Sequence, residues 1–136
     1  MLITRESDYA ARILRELYHA GRERVEDICR NEQIPRQYSY KIVKKLEKAG
    51  LVKIYRGAGG GCELAREIGG ITLFDIIAAV EGEFLLAECL GRGFHCSRYA
   101  KGNSRCRVHE ELLRIQGLIL KQLQEKSLKD IFERYF

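Results

Sequence analysis

Three of the chain's five cysteines fall in one stretch: Cys89, Cys96 and Cys106, separated by six and nine residues, with His109 three positions after the last. Between Cys89 and His109 stand five basic residues, Arg92, Arg98, Lys101, Arg105 and Arg107, and no acidic one. Positive charge around a thiol favours the thiolate, the form that binds metal or meets oxidants. The stretch is rich in Gly and Arg and has no apolar periodicity, so it reads as a loop. Three chemistries are open to it. Iron–sulfur ligation uses soft thiolates on flexible backbone, often with one non-cysteine ligand, and three cysteines plus a fourth group suit it. Zinc accepts three cysteines and a histidine, but structural zinc sites prefer ligand pairs roughly two to four residues apart, closer than Cys89 and Cys96. A metal-free thiol switch would use the same side chains. Iron–sulfur ligation ranks first of the three. Cys29 and Cys62 stand apart from the loop and read as packing residues, because an unpaired cysteine behaves as a small hydrophobe.

A second concentration of chemistry lies upstream. From Arg36 to Arg56 there are seven basic residues and a single acid, Glu47, while the whole chain carries a formal charge of +5. Such a stretch suits a polyanion. Arg36, Gln37, Tyr40 and Lys41 would occupy the start of a helix, from which side chains can reach base edges in a major groove. Gln37 can pair bidentately with adenine, and Arg36 or Lys41 can address guanine. Lys44 lies on the same exposed side and suits phosphate. Arg56, at the base of the wing, can enter a minor groove, and Gly59, in its glycine-rich tip, can lie close to another backbone.

The elements that must position these residues follow from periodicity. Thr4 or Ser7 can cap a first helix whose stripe is Tyr9, Ala10, Ile13, Leu14 and Leu17. Val25 to Arg30 forms a short second helix. After a turn ending in the only proline, Pro35, a third helix runs to Ala49 with Tyr38, Ile42, Val43 and Leu46 inward. Helix, turn and helix at this spacing make a helix-turn-helix. Leu51 to Arg56 and Cys62 to Ala65 alternate as two strands around Gly57-Ala-Gly-Gly-Gly61, a hairpin in the position of a wing. Gly69-Gly70 reads as a hinge. Thr72 caps a helix carrying Leu73, Ile76, Ile77 and Val80, and Gly82 ends it. Beyond the loop, residues 108–125 form a long helix with apolar residues over most of its circumference. Such a helix must bury a second side, most simply against its own copy. Ser127 caps a last short helix, and Leu128, Ile131, Phe132, Tyr135 and Phe136 are expected to clamp onto the partner. The expected fold is therefore mostly α with a small β-hairpin wing. Residues 1–66 are a winged helix-turn-helix domain, 67–88 a connecting helix, 89–107 the cysteine loop, and 108–136 a dimerisation helix with a C-terminal helix.

Composition removes other classes. At 136 residues, 46% hydrophobic and 32% charged, the chain is a folded domain and not a disordered tail. No apolar run reaches the ~20 residues that span a bilayer, and the first ten residues lack a secretory h-region. A cytoplasmic location is expected, where an odd cysteine count points to metal or redox use. The glycine run has neither the Lys-Ser/Thr of a phosphate loop nor a helix after it. No nucleophile–base motif surrounds His19, His95 or His109. An enzyme is not expected, nor a small-molecule substrate.

The order of helix-turn-helix, Ala49-Gly50-Leu51-Val52, Arg56-Gly57-Ala58-Gly59-Gly60-Gly61, three-cysteine loop and long helix resembles the iron–sulfur cluster regulator (IscR) and nitrite-sensitive repressor (NsrR) family of bacterial transcription factors. The resemblance covers nearly the whole chain. It implies a homodimer that binds operator DNA, acting as a repressor, with an iron–sulfur cluster on Cys89, Cys96 and Cys106 that senses redox state, nitric oxide or iron–sulfur supply. Cys106-Arg-Val-His109 resembles the Cys-x-x-His of the cluster regulators, which implies His109 as fourth ligand of a 2Fe–2S centre. Ser7-Asp8-Tyr9-Ala10 resembles the start of the nitrite-sensitive repressors, which implies Asp8 of the partner subunit on a 4Fe–4S centre. His109 and the 2Fe–2S centre are preferred. The loop departs from the family in its longer cysteine spacings. A cluster-free regulator of the same fold, sensing through thiols or a protein partner, is the alternative.

Overall fold

The computed structural model describes residues 3–97 and 106–133. Arg98, Lys101, Arg105, Tyr135 and Phe136 therefore lie outside the described residues. Helix α1 (Arg5–Ala20) starts at Thr4, whose Oγ1 accepts the Ser7 backbone N–H at 3.4 Å. Glu6 and Asp8 in its first turn oppose the partial positive charge there. The stripe Tyr9, Ala10, Ile13, Leu14 and Leu17 is buried, and Gly21, at φ 82°, gives its N–H to the Leu17 carbonyl.

Helix α2 (Val25–Glu32) runs further than its apolar pattern suggests, because the residue that stops it in the left-handed region is Gln33, φ 54°. Helix α3 (Arg36–Lys48) is capped by Pro35 and buries Ser39, Ile42, Val43 and Leu46. Tyr38, expected on the inner side, is 41% exposed and lies tilted against Tyr9 with ring centroids 6.1 Å apart. Ser39 takes the inward place. Its hydroxyl donates to the Pro35 carbonyl at 3.3 Å and accepts the Cys29 thiol at 3.0 Å, so a polar side chain is buried without losing its bonds.

Strands β1 (Val52–Tyr55) and β2 (Gly61–Leu64) pair antiparallel, Val52 opposite Leu64 and Tyr55 opposite Gly61. The expected hinge at Gly69-Gly70 is a docked 3-10 turn: Ile68 is buried, and Arg66 Nη2 donates to the Gly70 carbonyl at 2.8 Å. Helix α4 (Leu73–Glu81) opens with a capping box between Thr72 and Asp75 and ends at Gly82, φ 82°.

Helix α5 (Arg107–Glu125) stays outside the main core. Helix α6 (Leu128–Glu133) joins it. Its Leu128 and Phe132 are buried within their own chain, which corrects the expectation that they clamp onto a partner. The cause is a backbone bridge. Thr72 and Ser127 pair, and the Leu128 N–H donates to the Ile71 carbonyl at 2.7 Å. This bridge carries α6 back toward α1, where Tyr18 donates to Glu133 at 2.5 Å and its ring meets Phe132. One apolar cluster thus joins α1, α2, α3, the wing, α4 and α6. No helix among the described residues is long and apolar enough to cross a membrane.

Candidate nucleic-acid interface and thiol loop

The outer face of α3 and the base of the wing enclose a cleft of about 600 Å3, lined in part by Tyr40, Lys44, Arg56, Gly57 and Arg24. Val25, Val43 and Ile54 supply its apolar floor. Arg36, Gln37, Tyr40, Lys41, Lys44, Arg56 and Gly59 are all exposed. The fold brings Arg56 of the wing to the same opening as Tyr40 and Lys44, which stand one turn apart on α3. Arg24, at the α2 N-cap, adds a cation that the α3 pattern did not single out.

Several of these cations already have partners. Glu6 in α1 takes Lys41 at 3.5 Å and Lys45 at 2.8 Å. The Lys45 ammonium also donates to the Val80 carbonyl at 3.0 Å, tying α3 to the end of α4. Lys45 is thus a structural cation. Arg36 reaches Glu26 in α2 at 3.0 Å, and the Tyr40 hydroxyl donates to the same carboxylate oxygen, Oε1. These bonds hold the Glu26 carboxyl below the usual carboxylate range, the Tyr40 bond first among the causes. Sequence periodicity does not indicate Glu26, because the contact joins two helices across the turn. Gly59 has no heavy atom within 4 Å of where a side chain would begin.

The thiol loop is anchored at both described ends. A 3-10 turn at Glu88–Leu90 carries Cys89 and packs on α5. Three residues earlier, the Leu86 N–H donates to Gln116 Oε1 at 2.7 Å; Gln116 is the one buried residue among those of α5. Cys106 is the N-cap of α5, and its Sγ accepts the His109 backbone N–H at 3.4 Å. Cys89, Cys96 and Cys106 are free, half-buried thiols, and His109 is half-buried beside Cys106. As a donor set they suit a thiophilic iron centre, with one sulfur already accepting a backbone N–H. Among the described residues, no three His, Cys, Asp or Glu side chains converge to hold a metal ion. Asp8 is engaged with Arg12 at 2.9 Å. Cys62 is fully buried, as expected of a packing residue, and Cys29 is half-buried behind Ser39.

Helix α5 leaves Val108, Leu113 and Leu118 67%, 51% and 53% exposed. Leu112, Ile115, Ile119, Leu120 and Leu123 are only half-buried. Three of its apolar side chains are thus left more than half exposed among the described residues.

Residues 3–134 match the Rrf2 family, described as "Iron-dependent Transcriptional regulator". Protein aau3 of Rhizobium meliloti is 36% identical over 95 residues, 68% of this chain and 62% of that protein. The HTH-type transcriptional regulator NsrR of Oceanobacillus iheyensis is 27% identical over 98% of this chain and 90% of its own length. IscR of Vibrio campbellii is 36% identical over 61% of this chain. The chain spans 62% of the Rhizobium protein and 46% of the Vibrio regulator. Among solved structures, CymR, the global cysteine regulator of B. subtilis, superposes with a TM-score of 0.75 at 26% identity, covering 96% of this chain and 95% of CymR.

Proposed function

This chain belongs to the Rrf2 family of transcriptional regulators, and on that premise we propose that it binds operator DNA as a homodimer under control of an iron–sulfur cluster on Cys89, Cys96 and Cys106. The family's members are regulators and not enzymes. The observation that carries the reading is the double use of α5. Its first turn begins at Cys106, and its sides expose Val108, Leu113 and Leu118. A residue of the cysteine loop and the exposed apolar side chains that a second copy would cover are parts of one helix.

Two copies joined along α5 would present two α3 helices, which must fit successive major grooves roughly 34 Å apart. Tyr40, Lys44 and Arg56 would face the duplex from each cleft, with Arg36, Gln37 and Lys41 beside them and Gly59 at the approaching tip. Gln116 holds the segment before Cys89 against α5, so a change in the order of the loop bears directly on that helix. An iron–sulfur cluster held by the three thiolates, with His109 or Asp8 of the partner subunit as fourth ligand, would supply a reversible response to redox state, nitric oxide or iron–sulfur supply. His109 is the preferred fourth ligand because it shares the first turn of α5 with Cys106.

Anaerobic reconstitution with iron and sulfide tests the reading. Wild-type protein is expected to gain visible absorption in stoichiometric amount and to change its operator affinity. The Cys106→Ala protein is expected to do neither, and an identical spectrum and DNA response in that variant would defeat the account. Electron paramagnetic and Mössbauer spectra of His109→Ala and Asp8→Ala proteins decide nuclearity and the fourth ligand. The similarity to CymR favours a second reading, a cluster-free regulator that senses through thiols or a protein partner. Operator affinity that switches with thiol oxidation in iron-free protein would select it.

A further inference from the structure

Glu26 is an acid where a DNA-binding face should have none, and its place is specific. It stands in the first turn of α2, and its Oε1 receives two donors from the first turns of α3. One is Arg36 Nη2 at 3.0 Å; the other is the Tyr40 hydroxyl. Arg36 Nη2 also donates to the Tyr40 oxygen at 3.5 Å, and the guanidinium sits 5.9 Å from the tyrosine ring. Arg36 and Tyr40 are exposed, and Glu26 and Tyr40 line the cleft beside the wing.

A tyrosine hydroxyl has one proton to give. Here that proton is directed at Glu26, so the phenol oxygen keeps only its acceptor lone pairs, one of which takes Arg36 Nη2 at 3.5 Å. In the major groove, the exocyclic amines of adenine and cytosine are donors, whereas guanine and thymine present only acceptors. We infer that Glu26 is a positioning residue that sets Tyr40 as an acceptor, so that Tyr40 selects adenine or cytosine over guanine or thymine at one position of each half-site. Glu26 also holds Arg36 in one orientation through the same oxygen. The carboxylate thereby exchanges some general attraction to phosphate for discrimination among bases. The inference rests on the proposed DNA binding and adds the residue that sets one element of its sequence preference.

Selection of duplexes from a randomised library tests it with the full-length protein. Wild type is expected to enrich A or C at one position, repeated symmetrically in the two half-sites. Glu26→Ala, which frees the hydroxyl to donate or accept, and Tyr40→Phe should each lose about fivefold to tenfold of that discrimination, within what one base contact contributes. The loss should be confined to that position. Glu26→Gln keeps a carbonyl that accepts the tyrosine proton and should restore the preference. Lys44→Ala should weaken all sequences alike and lower the salt slope by about one. Circular dichroism and melting curves establish that each variant is folded; Glu26 is not a core residue. If Glu26→Ala and wild type select the same bases in the same ratios, the assignment is overturned. A wild type that selects no duplex at all would overturn the DNA-binding reading as well, which separates the two failures.

Discussion

Glu23 and Cys62 exchange two backbone hydrogen bonds, 3.0 and 2.8 Å long, that staple the second strand of the wing to the connection between α1 and α2. The wing is therefore held by the chain beside its turn and not only by its own hairpin. The staple also buries the Cys62 thiol, and burial, aided by the charge of Glu23, pushes its pKa up to about 11. That burial favours the neutral thiol, as suits a packing residue.

The close approach explains one glycine. At Gly61 the backbone has φ 140°, and a Cβ there would sit 2.6 Å from the Glu23 carbonyl oxygen. Gly61→Ala is expected to lower stability by about 2 kcal/mol or more, through backbone strain and the displaced staple. Gly59→Ala meets nothing within 4 Å and should leave the melting temperature alone while weakening operator binding. Equal melting temperatures for the two variants would contradict the staple.

Core and seam are separable by mutation. Leu128 is fully buried in the chain's own core, so Leu128→Ala should cost about 2–5 kcal/mol in denaturant unfolding. Leu113 is 51% exposed, so Leu113→Glu should leave the folded monomer intact and shift sedimentation from dimer to monomer. A Leu113→Glu protein that sediments as wild type would overturn the proposed pairing along α5.

Gln116 is 8% exposed and satisfies the Leu86 N–H. Gln116→Leu leaves that donor without its partner at a cost of about 1–3 kcal/mol. Because Leu86 precedes Cys89 by three residues, alkylation of Cys89 by a thiol reagent should also become faster. Gln116→Glu, which keeps the acceptor, should restore the slower rate.

Two carboxylates make the anchoring of α1 pH-dependent. The Lys45 hydrogen bond holds Glu6 below its ordinary 4.5 despite some burial. Burial raises Glu81, but hydrogen bonds from Ser7 and Thr4 outweigh it and leave its pKa lowered from 4.5. For each acid the folded pKa lies below the unfolded one. Its contribution is therefore complete above about pH 4.5 and is lost as pH falls through the folded value. Unfolding measured from pH 6 to 3 should show wild type losing stability below pH 4.5 with a steeper slope than Glu6→Gln or Glu81→Gln. Parallel slopes would show that neither contact forms.

What the sequence determined by itself was periodic and local. The stripe from Tyr9 to Leu17, the Thr72 cap with its stop at Gly82, the alternation across the wing and the concentration of cations from Arg36 to Arg56 all depend on neighbours a few residues apart. Single residues carry such signals. The spacing of Cys89, Cys96 and Cys106 gathered three thiols in one stretch for the same reason. Tertiary structure alone decided what depends on contacts between distant segments. The Ile71–Leu128 bridge drew α6 into the core, where its apolar residues had suggested a grip on a partner. A turn at Ile68–Gly70 that the pattern presents as a hinge is docked because Ile68 is buried and Arg66 closes over Gly70. Ser39 displaced Tyr38 from the interior because its hydroxyl could return a hydrogen bond to the backbone. Glu26 and Glu6 met their cations only once α1, α2 and α3 were packed. An acid's partner is set by distance in space, and no repeat in one dimension encodes that distance.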